Sequence, residues 1–300
     1  MLFRIANHFQ AMKFLQIFKN LKILRLCALL LIFFPAFYIP PAAGGNRSGQ
    51  LPLWEFGLGA APITMPAYRG SQTQEFYMVP MPYVIYRGDF LKIDREGIRG
   101  LLYDSPRLRV DLSADGAIPA ASEEGDVREG MPDLDPVGEF GPSVNYLLHE
   151  GASTRMRLRL PVRAVFASDF TFIDHVGWKA HPQLNIDMTG LFGRWNIGMV
   201  LGPIFADRSY HDYYYEVAPR YASAARPAYR PEGGYSGTSL LLSASRRFSG
   251  VWVGMFARYD NLSGAAFFDS PLVETRHSFM GGIGIAWMLD RSDKTVPAEP

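Results

Sequence analysis

Between residues 155 and 164 every second position is polar or proline (Arg155, Arg157, Arg159, Pro161, Arg163), and the positions between are Met156, Leu158, Leu160, Val162 and Ala164. Wound into a helix, these residues mix on all sides. Extended into a strand, they sort into one apolar face and one cationic face. The same period of two recurs at Arg107 to Leu112, Trp195 to Met199, Thr238 to Phe248 and Val251 to Tyr259. After residue 44 no apolar run reaches the length of a membrane-spanning helix. The chain is therefore all-β, either a soluble sandwich or a membrane barrel, since both alternate.

The connections separate these two. Alternation and turn residues together place strands at 54–61, 77–86, 90–94, 98–103, 107–115, 137–148, 153–166, 172–188, 193–205, 237–248, 251–260 and 277–289. Every second gap is tight: Arg87-Gly88-Asp89, Asp104-Ser105-Pro106, His149 to Ala152, Thr189 to Phe192, and Ser249-Gly250. Most of the others are long: 62–76, 116–136, 206–236 and 261–276. Segregated loop lengths predict a closed antiparallel transmembrane β-barrel of about 12 strands, with short periplasmic turns and long extracellular loops. Closure also gives every backbone group a partner in hydrocarbon. Trp54, Tyr77, Tyr86, Trp178, Trp195, Trp252, Tyr259 and Trp287 are the candidates for interfacial girdles.

Residues 1–43 read as an export signal. Arg4, Lys13, Lys19, Lys22 and Arg25 precede the apolar run Leu26 to Tyr38, and Pro40-Pro41-Ala42-Ala43-Gly44 suits cleavage. The expected division is a signal over 1–43, a barrel over 44–289 and a polar tail over 290–300. The only cysteine, Cys27, falls in the signal, so the remainder has no disulfide, thiolate metal site or cysteine nucleophile. Without the first 43 residues the chain carries 25 basic against 29 acidic side chains, which disfavours a nucleic-acid partner.

The last third has a family likeness. Asn261-Leu262-Ser263-Gly264-Ala265-Ala266-Phe267-Phe268-Asp269-Ser270-Pro271-Leu272-Val273, followed by the glycine-rich strand Phe279 to Trp287, resembles the final loop and strand of the MipA/OmpV outer-membrane proteins. Tyr213 to Val217 with Arg226 to Gly234 is similar to that family's penultimate loop, and Leu53 to Gly59 with Tyr68 to Ser71 to its opening strand and loop. The chain departs from the pattern in continuing past Trp287 into a polar tail. The resemblance implies a non-enzymatic role, as a scaffold joining a lytic murein transglycosylase and a murein synthase at the outer membrane. It implies no cofactor.

Two groups of residues are candidate sites. Arg107, Arg109, Arg155, Arg157, Arg159 and Arg163 form a cationic lumen face. They serve either a narrow porin-like channel or solute-binding barrel, or a plug in which they pair with Asp111, Asp174, Asp187 or Glu139. Tyr213, Tyr214, Tyr215 and Tyr229, with Asp269, Ser270 and Pro271, form an extracellular loop surface. Its tyrosines suit either a binding face or an ordered lid. Loop arginines Arg69, Arg208, Arg220, Arg226 and Arg230 are candidates for lipopolysaccharide phosphates. The acidic loop around Glu123, Glu124, Asp126, Glu129, Asp133 and Asp135 lacks calcium-loop spacing. No nucleophile motif accompanies the scattered histidines.

Overall fold

The computed structural model describes residues 50–94, 97–117, 126–169 and 171–297. The expected signal, Cys27, Glu123 and Glu124 lie outside them. The strands are β1 (Gln50–Pro52), β2 (Trp54–Pro66), β3 (Gln74–Arg87), β4 (Leu91–Asp94), β5 (Gly97–Asp104), β6 (Leu108–Ala117), β7 (Val137–Glu150), β8 (Thr154–Ser168), β9 (Ile173–Ala180), β10 (Gln183–Gly190), β11 (Trp195–Ala206), β12 (Gly234–Arg247), β13 (Val251–Asn261), β14 (His277–Arg291) and β15 (Thr295–Pro297).

From β2 to β14 each strand pairs antiparallel with the next, except that β9 and β10 share one place between β8 and β11, and β14 returns to β2, so the sheet closes. The expected strand at 172–188 is two collinear pieces, because Pro182 brings no N–H to the ladder at the break. Both pieces pair with β8. Counting them as one gives the twelve-strand closed barrel.

The wall is turned inside out relative to a soluble protein. On β7 and β8, Phe140, Val144, Tyr146, Leu158, Leu160 and Val162 are exposed on the outside, while Glu139, Ser143, Asn145, Arg157, Arg159 and Arg163 are buried within. Period-two sequence with apolar residues outward is what a hydrocarbon solvent selects. Trp178, Phe279 and Trp287 join that outer surface, but Trp252 does not. It lies on the inward parity of β13 and is buried, so it is lumen packing rather than girdle. Gly254 and Gly284 make room for it: a Cβ at Gly254 would stand 2.1 Å from the Trp252 ring.

The two ends of the barrel differ as the loop lengths require. One end carries tight turns and both ends of the described chain, Gln50 and Pro297. There β1 pairs with β15 through Gln50↔Pro297, Leu51↔Val296 and Pro52↔Thr295. Of the residues read as a polar tail, Asp290 and Arg291 complete β14, and Thr295–Pro297 forms this clasp. The other end carries the long loops, and in one of them, 207–233, a helix α1 (Arg208–Tyr215) forms.

Candidate functional site: a filled lumen and its lid

The lumen has two unlike halves. Inward residues of β2, β3, β13 and β14 form an apolar cluster of Ala61, Ile63, Val79, Met81, Tyr83, Ile85, Trp252 and Ala286. The opposite wall is polar. Arg157 donates to Asp187 Oδ2 at 2.8 Å. Arg163 donates to Ser113 Oγ and to Asp115 Oδ2, and lies 3.6 Å from Glu139, which also pairs with Lys179. Asn145 donates to Asp111 at 2.8 Å. Each buried charge thus has an opposite charge or a hydrogen-bonding dipole in reach, as burial demands.

Of the six arginines expected on the lumen face, the structure brings three to the interior. Arg157, Arg159 and Arg163 are each at most 7 % exposed, and Arg159 stands across from Asn145 and Gln183. Arg155 and Arg109 sit at the periplasmic rim, pairing with Glu150 and Asp104 of the adjoining strand ends. Arg107 is not on the strand. Arg107 stays with Pro106 in the preceding turn, exposed, its carbonyl accepting from Leu147 N. Asp174 is exposed on β9 near the long-loop end and joins no lumen pair that the structure shows.

The loop end is roofed. Asp207 caps α1 by accepting from Tyr210 N at 2.9 Å, satisfying one of the free donors of the first turn. The helix lays Tyr215 flat on Phe267, with ring centroids 3.7 Å apart and planes 4° apart. Tyr68, Leu134, Val217, Leu262, Ala265 and Leu272 complete a second core drawn from separate loops. Hydrogen bonds lace these loops together. Tyr68 donates to Leu272 O, Tyr215 to Arg69 O, Ser270 Oγ to Tyr215 O, and Asp135 N to Tyr213 Oη. Arg128 and Arg226 spend their donors on backbone carbonyls of Tyr214, Pro132, Val127 and Glu129.

Tyr213, Tyr214, Tyr215 and Ser270 are therefore not a free surface but the inside of a lid. Tyr229 is half-buried and bridges to Val217, Pro271 is half-buried, and Asp269 alone of the seven is exposed. Burial raises the Tyr213, Tyr214 and Tyr215 phenols well above their ordinary range, so they stay neutral hydrogen-bonding groups. Arg69 and Arg226 are likewise committed to lid contacts, whereas Arg208 and Arg230 remain largely exposed.

Sequence reading missed one pair in this lid. His211 Nδ1 lies 2.5 Å from Glu232 O and Nε2 lies 2.7 Å from Ser236 Oγ. A carbonyl only accepts, so Nδ1 carries the proton and Nε2 accepts from the hydroxyl in the neutral ring. Both residues have no exposed surface, and the third partner is a carbonyl rather than a carboxylate. The pair thus ties α1 to the start of β12 as a structural latch. Among the described residues no three His, Cys, Asp or Glu side chains gather as metal ligands.

A closed antiparallel barrel with an apolar outer belt, a polar and packed interior, short turns at one end and laced loops at the other defines an outer-membrane β-barrel protein. The chain belongs to the family described as MltA-interacting protein MipA, whose model matches residues 58–289. No curated protein matches it. Solved structures with a similar fold include the NanC porin (8% identity, 77% of this chain and 100% of that chain, TM-score 0.37). Others are OmpT of Vibrio cholerae (7%, 81% and 99%, 0.33) and the channel DcaP of Acinetobacter baumannii (7%, 83% and 100%, 0.34).

Proposed function

We propose that this protein is a membrane-embedded scaffold that acts through its periplasmic face. The observation that carries this reading is the filled barrel: one half of the lumen packed with apolar side chains, the other closed by ion pairs, and the outer mouth roofed by a second core. A barrel occupied in this way offers its ends rather than its bore. The clasp β1–β15 and the turns Arg87-Gly88-Asp89 and Asp104-Ser105-Pro106 form the periplasmic end, the side on which murein is built and cut. The partner class is murein-remodelling enzymes, a lytic transglycosylase and a synthase, in keeping with the family's description. Outer-membrane lipid and lipopolysaccharide are its surroundings. The role needs no catalytic group of its own.

The test is photocrosslinking in intact envelopes from Asp89 and Thr295. Capture of a murein enzyme at these positions, and not from Asp269 at the opposite end, supports the scaffold. Capture of none overturns it. The rival reading, a narrow channel along Arg157, Arg159 and Arg163, predicts conductance in planar bilayers that changes with Arg157→Ala and Arg159→Ala. Silence of the purified protein is the expected result.

A further inference from the structure

Two strands of the twelve, the arms of one short hairpin, do not cross the membrane. A tilted strand needs about 9–11 residues to span the hydrocarbon, and β4 has 4 and β5 has 8. β4 meets β3 only at Tyr86↔Ile93 and Arg87↔Lys92. On the far side, β5 stops pairing with β6 at Arg99↔Ser113. Above the β4–β5 hairpin, no strand among the described residues lies between β3 and the upper part of β6. Among the described residues the wall therefore has a notch there, open toward the outer leaflet.

The bank of this notch has a defined chemistry. Arg87 N donates to Leu53 O across from it at 2.8 Å, which fixes the parity: odd-numbered residues of β3 bond to β2, and even-numbered ones turn toward the notch. Above the hairpin the even set is Phe76, Met78, Pro80 and Pro82. Two of them are prolines, with no N–H, and prolines at successive positions of one edge block the addition of another strand. The edge therefore presents the carbonyls of all four residues but N–H groups from only two. Hydrocarbon alone cannot satisfy such a row of acceptors. Phe76 and Met78 flank it as outward side chains, 68 % and 63 % exposed. At Val84 the notch runs into an apolar groove of about 340 Å3 between Phe56, Tyr86, Leu91 and Ile93.

An acceptor-rich edge beside lipid-facing apolar side chains matches a molecule with donors at one end and hydrocarbon at the other. We propose that the notch binds a glycolipid of the outer leaflet. Headgroup hydroxyl and amide groups donate to the carbonyls on this edge of β3, and an acyl chain lies along Phe76 and Met78 toward the groove. The prolines exclude a peptide strand as the occupant, and a choline phospholipid, lacking headgroup donors, fits poorly. This site is independent of the periplasmic scaffold and stands or falls separately.

The test uses the full chain with Cys27→Ser, so that an introduced thiol is unique. Pro80→Cys in the notch and Leu201→Cys on the continuously paired wall, where Leu184 and Leu240 flank it, each carry a benzophenone label. Each is refolded into phosphatidylcholine vesicles containing a minor fraction of lipopolysaccharide and irradiated. The expected result is a ratio of lipopolysaccharide to phospholipid adducts about tenfold higher at Pro80 than at Leu201, the factor about 1.4 kcal/mol of preference supplies. Equal ratios at the two positions overturn the site, as does preferential capture of phosphatidylcholine at Pro80. Heat-modifiable gel migration checks folding, and Met78→Cys replaces Pro80→Cys if that variant does not fold.

Discussion

Replacing Arg157 by alanine is expected to destabilise the barrel far more than loss of one side chain's contacts suggests. Arg157 and Asp187 meet at 2.8 Å with side chains 8 % and 3 % exposed, so water screens neither of them. Taking Arg157 away strands the carboxylate in the lumen, and breaking a buried pair from one side costs about 3–5 kcal/mol. Arg230 and Asp212 provide the contrast. They stand 4.0 Å apart in the lid with Arg230 67 % exposed, a geometry worth at most about 1 kcal/mol. Urea unfolding of vesicle-inserted protein, followed by tryptophan fluorescence, measures both. Arg157→Ala should lower the unfolding free energy by several kcal/mol and Arg230→Ala by less than about 1 kcal/mol. The double variant Arg157→Met with Asp187→Leu should recover most of the loss, since a buried pair replaced by apolar groups is often neutral. Equal losses for Arg157→Ala and Arg230→Ala, or a double variant no better than the single, would refute the reasoning.

Two further outcomes concern the lid. Burial holds the His211 ring below its ordinary pKa, so between that lowered value and about 6.5 the unfolded lid takes up a proton that the folded lid refuses. Lid stability should be flat above about pH 7 and fall as pH drops below about 6.5. Limited proteolysis across that range should show the change, and His211→Gln should abolish it. Phe267→Ala removes a wholly buried ring from beneath Tyr215 and should cost the lid about 3–5 kcal/mol. It should be cut rapidly within 207–233 while retaining heat-modifiable migration, and loss of that migration would mean lid and barrel are one cooperative unit.

Much of this architecture is legible in the sequence because a barrel in hydrocarbon enforces a strict period. The alternation of Arg157, Arg159 and Arg163 with Leu158, Leu160 and Val162 reports inside and outside directly, and tight turns such as Ser249-Gly250 mark the hairpins. Where period and breaker compete, the sequence is ambiguous. Arg107 continues the alternation of β6 yet belongs to the Pro106 turn, and Trp252 looks like a girdle residue until the parity of β13 turns it inward. The lid was harder to read because its order comes from contacts between loops distant in sequence, such as Tyr215 on Phe267. The loop tyrosines suit a lid and a binding face equally, and the Asp207 cap of α1 marks only where the helix starts. The clasp of β1 with β15 joins segments of three residues each, too short for any periodicity.

That clasp fixes where the two ends of the chain emerge. Adjacent strands lie about 4.8 Å apart, so whatever precedes Gln50 and whatever follows Pro297 leave the barrel at a single point of its periplasmic rim. Two modules joined directly at Gln50 and at Pro297 would be held as neighbours by a hairpin's width. By the same geometry, a short bridge from Pro297 to Gln50 would make the barrel a ring of strands, free to be opened at any extracellular loop.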